Sequence, residues 1–186
     1  MSEEVPEDRC GYETDYESTS TSPTNICCCR PTWKGTNSCI WHANIVGKSG
    51  TALKKHRGQG FERLDGAILR KTEIKGLDLR DCIIVEADFS KSRLPNIDIS
   101  DATIRKSDLS DCNLLRLKMQ GGEIRYCDFS GSSLGEAEIR NSELFKIDFS
   151  NADFRMANIS ETNGEEVDFS NTWFKWADIT HNIVFS

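Results

Sequence analysis

The residues with the clearest potential for chemistry are cysteines and one histidine near the N-terminus. Cys39 and His42 are three residues apart, a spacing that lets a thiolate and an imidazole reach one tetrahedral metal ion. Cys10 and one of the three consecutive cysteines at 27–29, with Cys28 as our choice, complete a set of three sulfurs and one nitrogen. The sequence therefore predicts one structural zinc ion held by Cys10, Cys28, Cys39 and His42.

The same cysteines could instead form a reduced, partly buried thiol cluster, or a disulfide, and the sequence leaves both alternatives open. The N-terminus has no basic region followed by an apolar run, so we predict a cytoplasmic protein, in which a disulfide is disfavoured. Zinc would supply folding energy to a segment with little apolar core of its own.

One motif resembles a catalytic site but fails on its context. Residues 131–135 match G-x-S-x-G, in which the serine of a hydrolase stands at a strand-to-helix turn. Here Leu134 belongs to a regular repeat, which makes Ser133 an outward position of that repeat. We predict that the protein is not an enzyme.

The repeat has a strict period of five residues. Every fifth residue from Leu64 to Val184 is apolar except Gly164. The residue two positions earlier is usually small, and the residue just before is usually Asp, Asn or Glu, whose side chain can accept backbone hydrogen bonds. Because helices repeat at 3.6 and strands at 2, a period of five indicates a chain that turns a corner once per unit.

The units at 87–91, 152–156 and 157–161 resemble the A-(D/N)-L-x-x consensus of the pentapeptide-repeat family. The resemblance implies an all-β fold, a right-handed, four-sided parallel β-helix with four units per coil. The repeats then make about six coils and a rod roughly 29 Å long at the usual strand spacing. Bulky residues at the small position support a coil of twenty residues, because Leu77 and Ile97 are twenty apart.

Composition divides the chain into three parts. Residues 1–26 carry a net charge of −6 and are predicted to be an acidic disordered tail. Residues 27–61 are predicted to be a Cys/His-containing cap with a short helix from Ser49 to about residue 59. Residues 62–186 form the predicted solenoid, interrupted at Gly164 by a bulge or loop because Asn-Gly is a strong turn signal.

The predicted function is a non-catalytic protein–protein interaction scaffold, with a protein partner that the sequence does not identify. Family members often dimerise through the C-terminal end, so the resemblance implies a homodimer through apolar residues such as Trp173 and Trp176. The alternative is that these residues simply plug the end of the rod. No apolar stretch is long enough for a membrane span.

Two alternative functions follow from the same features. Some family members mimic DNA and occupy a topoisomerase such as gyrase. A duplex 29 Å long bears about 17 negative charges, whereas this chain has a net charge of −7. That acidic charge also argues against direct nucleic-acid or anionic-membrane binding. The second alternative is a zinc- or redox-responsive regulatory module built on the cysteines.

Overall fold

The computed structural model describes residues 9–10, 12–14, 26–28, 30–57, 60–180 and 184–185. From residue 62 onward the chain forms a parallel β-solenoid of about six coils, which confirms the predicted fold. Paired residues are twenty apart in sequence, as in Ile84 with Ile104 and Ile139 with Ile159. Most of the predicted tail at 1–26 lies outside the described residues.

The strands are short. They are β1 (Glu13–Thr14), β2 (Ile26–Cys27), β3 (Glu62–Arg63), β4 (Cys82–Val85), β5 (Thr103–Arg105), β6 (Lys118–Gln120), β7 (Glu123–Arg125), β8 (Glu138–Arg140), β9 (Glu143–Asp148), β10 (Asn158–Ser160), β11 (Asn163–Asp168), β12 (Asp178–Thr180) and β13 (Val184–Phe185). β1 and β2 pair antiparallel. Two parallel sheets have the orders β13-β11-β9-β7-β5-β4-β3 and β12-β10-β8-β6.

Four faces surround the core, and each is a column of parallel pairs at intervals of twenty residues. Face 1, through Leu64, is the seven-stranded sheet, and face 4, through Leu79, contains the four-stranded sheet. Face 2, through Leu69, and face 3, through Ile74, are joined by single parallel bridges. The long side chains of the repeat centres from Leu64 to Ile159 are buried inside. On face 2 the rings of Phe129, Phe149 and half-buried Phe169 form a stack with neighbouring centroids 5.1 and 5.4 Å apart.

The corners of the coil share one backbone conformation. Every fifth residue from Gly66 to Trp176 has a positive φ, and most of these residues are not glycine. The aspartate before the repeat centre supports the following corner, since Asp88 Oδ1 accepts a hydrogen bond from the Ser90 amide at 3.0 Å. The same bond recurs along the rod, so these carboxylates have a structural role.

The bulge predicted at Gly164 is absent, and that prediction was wrong. Gly164 lies inside β11 and pairs in register with Leu144 of β9. The Asn163 amide donates to the Ser142 carbonyl at 3.0 Å, which keeps the coil at twenty residues. The hydrogen bonds between coils therefore outweigh the local turn preference of Asn-Gly.

Among the residues described before the solenoid, one helix is present, α1 (Gly50–Lys55). Ser49 is its N-cap, because its hydroxyl accepts a hydrogen bond from the Ala52 amide. The helix ends at Lys55 instead of near residue 59, and Leu53 is its buried residue. In the part of the chain that the structure describes, no helix has the length and apolar character needed to cross a bilayer.

Basic side chains of the segment before residue 62 bind backbone carbonyls of the first coil. Lys54 Nζ donates to the Lys75 carbonyl at 2.5 Å, and Arg57 donates to the carbonyls of Asp78 and Arg80 at 3.0 and 3.1 Å. The first coil has no preceding coil to pair with, so its carbonyls need other donors. This need explains the net charge of +6 that the sequence carries at 27–60.

Candidate metal centre

Cys10, Cys28, Cys39 and His42 lie together beneath the first coil, with all four ligand atoms within 4.8 Å of one another. The Cys10 and Cys39 sulfurs are 3.2 and 3.4 Å from His42 Nδ1. The Cys28 and Cys39 sulfurs are 3.8 Å apart. Cys10, Cys39 and His42 are buried, and Cys28 is half-buried. The cluster can therefore offer three sulfurs and one nitrogen to a single ion.

Two local structures position these side chains. The first is the antiparallel ribbon of β1 and β2, in which the Cys10 amide donates to the Arg30 carbonyl and the Cys28 amide to the Tyr12 carbonyl, each at 2.8 Å. This pairing places Cys10 and Cys28 beside each other. The second is a tight turn in which the Cys39 carbonyl accepts from the His42 amide at 3.1 Å, which explains the spacing of three residues.

The orientation of His42 suits a metal ligand. Its Nε2 lies 2.8 Å from the Asp65 carbonyl oxygen, which can only accept a hydrogen bond, so Nε2 carries the proton. Nδ1 is then unprotonated and directs its lone pair at the sulfurs. The Tyr12 ring stacks on the imidazole at 4.2 Å and fixes its plane. A backbone carbonyl that holds the second ring nitrogen is the usual support of a metal-binding histidine.

Three of the six distances between ligand atoms are close to those of a tetrahedral zinc site. With Zn–S bonds of about 2.3 Å, two sulfurs of a tetrahedron are about 3.8 Å apart, and a sulfur and a nitrogen about 3.5 Å. The observed S–S separation of 3.8 Å matches this value, and the S–N separations of 3.2 and 3.4 Å are slightly shorter. Soft thiolates with one imidazole are a donor set that selects zinc over magnesium or calcium.

Two cations lie where a thiolate-rich centre needs them. Three thiolates, one neutral imidazole and a divalent ion carry a net charge of −1. Arg30 Nη1 lies 3.3 Å from Cys28 Sγ, and Arg30 also pairs with Glu62. Lys48 is buried and donates to the carbonyls of Trp41 and Ile68. Burial lowers the pKa of Lys48 to about 8, while the nearby Cys39 opposes that change.

The thiols of the cluster also differ in acidity. A hydrogen bond from the Cys39 thiol lowers the pKa of Cys28 to about 3, and hydrogen bonds from Arg30 act in the same direction. The same hydrogen bond, together with burial, raises the pKa of Cys39. Of this pair, Cys28 is therefore the sulfur that more readily holds a negative charge.

Gly66 makes room for the aromatic ring above the cluster. It has a φ of +64°, and a Cβ atom at this position would lie 1.9 Å from the Tyr12 hydroxyl. The close approach of Tyr12 therefore depends on the missing side chain. The sequence shows Gly66 only as a corner of the first coil, and its relation to Tyr12 depends on tertiary structure.

The other sequence motifs have structural roles in the solenoid. Cys82, Cys112 and Cys127 are buried at small positions of the repeat, and burial raises the pKa of each thiol. Ser133 forms parallel bridges to Asn113 and Asp153 on face 3. Cys29 lies outside the described residues, and Cys27 belongs to β2.

Comparison with solved structures finds several proteins that are similar to this chain. A pentapeptide repeat protein (Rfr23) from the cyanobacterium Cyanothece 51142 is 17% identical and has a TM-score of 0.52, covering 67% of this chain and 91% of its own. QnrB1, a plasmid-mediated fluoroquinolone resistance protein, is 17% identical with a TM-score of 0.34, covering 68% and 81%. HetL from the cyanobacterium Nostoc sp. strain PCC 7120, involved in heterocyst differentiation regulation, is 16% identical with a TM-score of 0.28, covering 62% and 82%.

At 17% identity the likeness to Rfr23 extends to the fold alone. No curated protein matches the sequence. The family model of pentapeptide repeats matches eight copies within residues 82–116 and 142–180. Its matches coincide with the four-sided coils, and the five-residue period extends through the segment between them. The chain therefore belongs to the pentapeptide-repeat family.

Proposed function

We propose that this protein is a non-catalytic scaffold that binds another protein through the outward side chains of its solenoid. The supporting observation is an exposed apolar cluster on the last two coils, formed by Met156, Trp173 and Trp176 and called the tryptophan patch. These side chains are 58%, 65% and 72% exposed. Tryptophan and methionine are enriched at protein interfaces, and exposed apolar clusters usually mark interaction sites.

The placement of Ser133 supports a role without catalysis. Its neighbour Leu134 is fully buried as a repeat centre, and Ser133 pairs with the coils above and below. A nucleophile of the G-x-S-x-G type stands at a sharp strand-to-helix turn, where its hydroxyl is exposed above a sheet. A serine on a regular solenoid face lacks that setting.

The charge arrangement favours a scaffold over a DNA mimic. Faces 2 and 4 carry the most negative charge, and bases interrupt both through ion pairs between successive coils, such as Arg70 with Asp88 at 3.3 Å and Arg80 with Asp98 at 3.9 Å. A mimic needs a regular run of uncompensated negative charge, as in the phosphate backbone. Direct nucleic-acid binding is equally disfavoured by the net charge of −7.

We further propose that Cys10, Cys28, Cys39 and His42 bind one structural zinc ion that holds the β1–β2 ribbon against the first coil. A ribbon of two-residue strands has little core, so metal ligation would supply most of its stability. Such a site needs reduced thiols, which fits a protein of the cytoplasm. A zinc- or redox-responsive role would act through these same four residues, and metal analysis of the purified protein tests it.

We also propose that two copies associate end to end. Phe169 and Phe174 are only half-buried at the last coil, and Ile179 of β12 is 45% exposed. β12 and β13 are the outermost strands of their sheets, so they can pair with another chain. Sedimentation equilibrium at micromolar concentration should give a dimer, and a monomer would refute this arrangement.

The scaffold proposal is tested by co-purification from the native host. The baits are the wild-type protein, the double variant Trp173→Ser/Trp176→Ser, and Tyr126→Ser as a control, because Tyr126 is 51% exposed on another part of the rod. A protein recovered with the wild type and the control, and lost with the double variant, is the expected result. Recovery of the same proteins with all three baits, or with none, would refute the proposal.

A further inference from the structure

A dent on face 3 lies beside the tryptophan patch. Leu115, Gly135 and Arg155 occupy one column, and the absent side chain of Gly135 leaves a dent of about 190 Å³ that Met156 and Trp176 also line. A Cβ atom on Gly135 would lie 3.2 Å from Leu115 Cδ1, so any larger residue fills the space. Small-molecule sites measure about 300–1,000 Å³. The dent is therefore sized for a single side chain of a partner.

One positive charge, that of Lys175, lies beside the tryptophan patch. Asp153 is held by Arg155 at 2.6 Å, and Glu136 by Arg116 at 2.8 Å, so these four charges compensate one another. Lys175 is exposed, with its Nζ 4.2 Å from the centroid of the Trp176 ring. Within the described residues, Lys175 forms no ion pair. Its ammonium group remains available to a carboxylate of a partner.

Face 3 as a whole is positively charged on an acidic molecule. Its six units, 72–76, 92–96, 112–116, 132–136, 152–156 and 172–176, contain five bases and three acids, a net charge of +2. The whole chain has a net charge of −7. An acidic partner is thus repelled by the molecule at large and attracted to this one face, which orients the encounter.

We infer that the tryptophan patch, the dent at Gly135 and Lys175 form a docking surface for an acidic protein segment with one apolar anchor side chain. The anchor enters the dent against Met156 and Trp176, and a neighbouring carboxylate meets Lys175. This inference rests on the proposed scaffold function and names its partner class. A second copy of this chain fits poorly, because a two-fold contact would set one positive face 3 against another.

The test is a selection from a random peptide library displayed on phage, with the immobilised full-length protein as bait. Peptides enriched on the wild type should share an apolar residue flanked by Asp or Glu. Gly135→Leu fills the dent, and Lys175→Glu reverses the charge beside Trp176. Each should weaken binding of the enriched peptides about tenfold or more, measured by fluorescence anisotropy. Lys118→Glu makes the same change in net charge on face 4 and should leave binding unchanged.

Circular dichroism of each variant verifies that the solenoid is folded. The inference is overturned if no peptide is enriched, if the enriched peptides lack acidic residues, or if Gly135→Leu and Lys175→Glu bind them like the wild type. It is also overturned if Lys118→Glu weakens binding as much as Lys175→Glu. Loss of native partners from Trp173→Ser/Trp176→Ser combined with any of these results would leave the scaffold function standing.

Discussion

Single residues determine the chemistry of the N-terminal cluster through the atoms they hold in place. The Asp65 carbonyl fixes the proton on His42 Nε2, and Tyr12 fixes the plane of the ring. Neither contact involves a ligand atom. Substitutions that disturb these two contacts to His42 should therefore alter metal retention although all four ligands remain present.

Gly66→Ala tests the support from Tyr12, and Gly76→Ala is its matched control. Both glycines have a positive φ, of +64° and +61°, but a Cβ at Gly76 meets only the Asn96 carbonyl oxygen at 3.9 Å. Each variant should lose about 1–2 kcal/mol of folding stability, because alanine disfavours the left-handed backbone conformation at these positions. Only Gly66→Ala should also displace Tyr12 and release zinc faster to a chelator. Equal release rates, measured with a colorimetric chelator, would contradict the role of Tyr12.

Cys112→Ser tests how a buried thiol of the repeat affects stability at high pH. Burial raises the pKa of Cys112 to about 12, from 9 in the unfolded chain. Above pH 9 the folded state therefore binds more protons than the unfolded chain. The stability that the protonated Cys112 thiol contributes is fully present below pH 9 and is lost as the pH rises toward 12. Serine removes this titration, and Ser92 and Ser132 already hold the equivalent positions in adjacent coils.

Urea unfolding between pH 7 and 10.5 should show the wild type losing stability faster than Cys112→Ser above pH 9, by about 1 kcal/mol per pH unit. At pH 7 the two proteins should differ little, because the serine hydroxyl can donate to the Phe89 carbonyl as the thiol does. Parallel curves over the whole range would contradict the raised pKa of Cys112.

At the scale of elements, basic side chains of the segment before residue 62 donate hydrogen bonds to the unpaired carbonyls of the first coil. A solenoid end is a sheet edge with unpaired backbone groups, which must be covered. Lys54 and Arg57 supply hydrogen bonds to carbonyls that no coil can reach. The basic composition of the cap is thus part of how the fold begins.

Arg57→Met should destabilise the protein by about 2–3 kcal/mol, because it removes charged hydrogen bonds to the Asp78 and Arg80 carbonyls and the ion pair with Glu62. Arg93→Met is the control, since Arg93 is largely exposed and 3.6 Å from its partner Glu73. The control should change stability by less than about 0.5 kcal/mol. Chemical unfolding measures both, and a similar loss in the two variants would refute the sealing role of Arg57.

The five-residue period was sufficient to predict the solenoid because each unit packs into the core in the same way. One large and one small side chain enter the core, and the next unit repeats the corner. The period did not reveal that corners would hold residues such as Tyr126 and Trp176 with positive φ. It also did not reveal that Gly164 would stay in register, since that outcome depends on hydrogen bonds between coils.

The candidate site was predictable only in part. The spacing of Cys39 and His42 is local and visible in the sequence. Cys10 lies in a segment whose composition indicates a disordered tail, yet the ribbon of β1 and β2 carries it into the cluster. The roles of Tyr12 and the Asp65 carbonyl depend on contacts between segments distant in sequence. A pattern of residue types cannot predict which backbone carbonyl will accept a hydrogen bond from His42.

At the scale of the whole molecule, the rod has two chemically different ends. The N-terminal end is covered by the ribbon, α1 and the cysteine cluster, whereas the last coil presents half-buried Phe169 and Phe174 beside the tryptophan patch. The faces between them bear mostly paired charges. This polarity suits a molecule that is fixed in shape at one end and binds partners at the other.

X-ray absorption spectroscopy at the zinc edge tests the metal centre most directly. The full-length protein should contain about one zinc ion with three sulfur neighbours near 2.3 Å and one nitrogen near 2.0 Å. Cys39→Ala should lose the metal, and Cys82→Ala, which removes a buried thiol of the solenoid, should retain it. Protein free of metal, a shell of nitrogen and oxygen alone, or equal zinc in both variants would contradict the account.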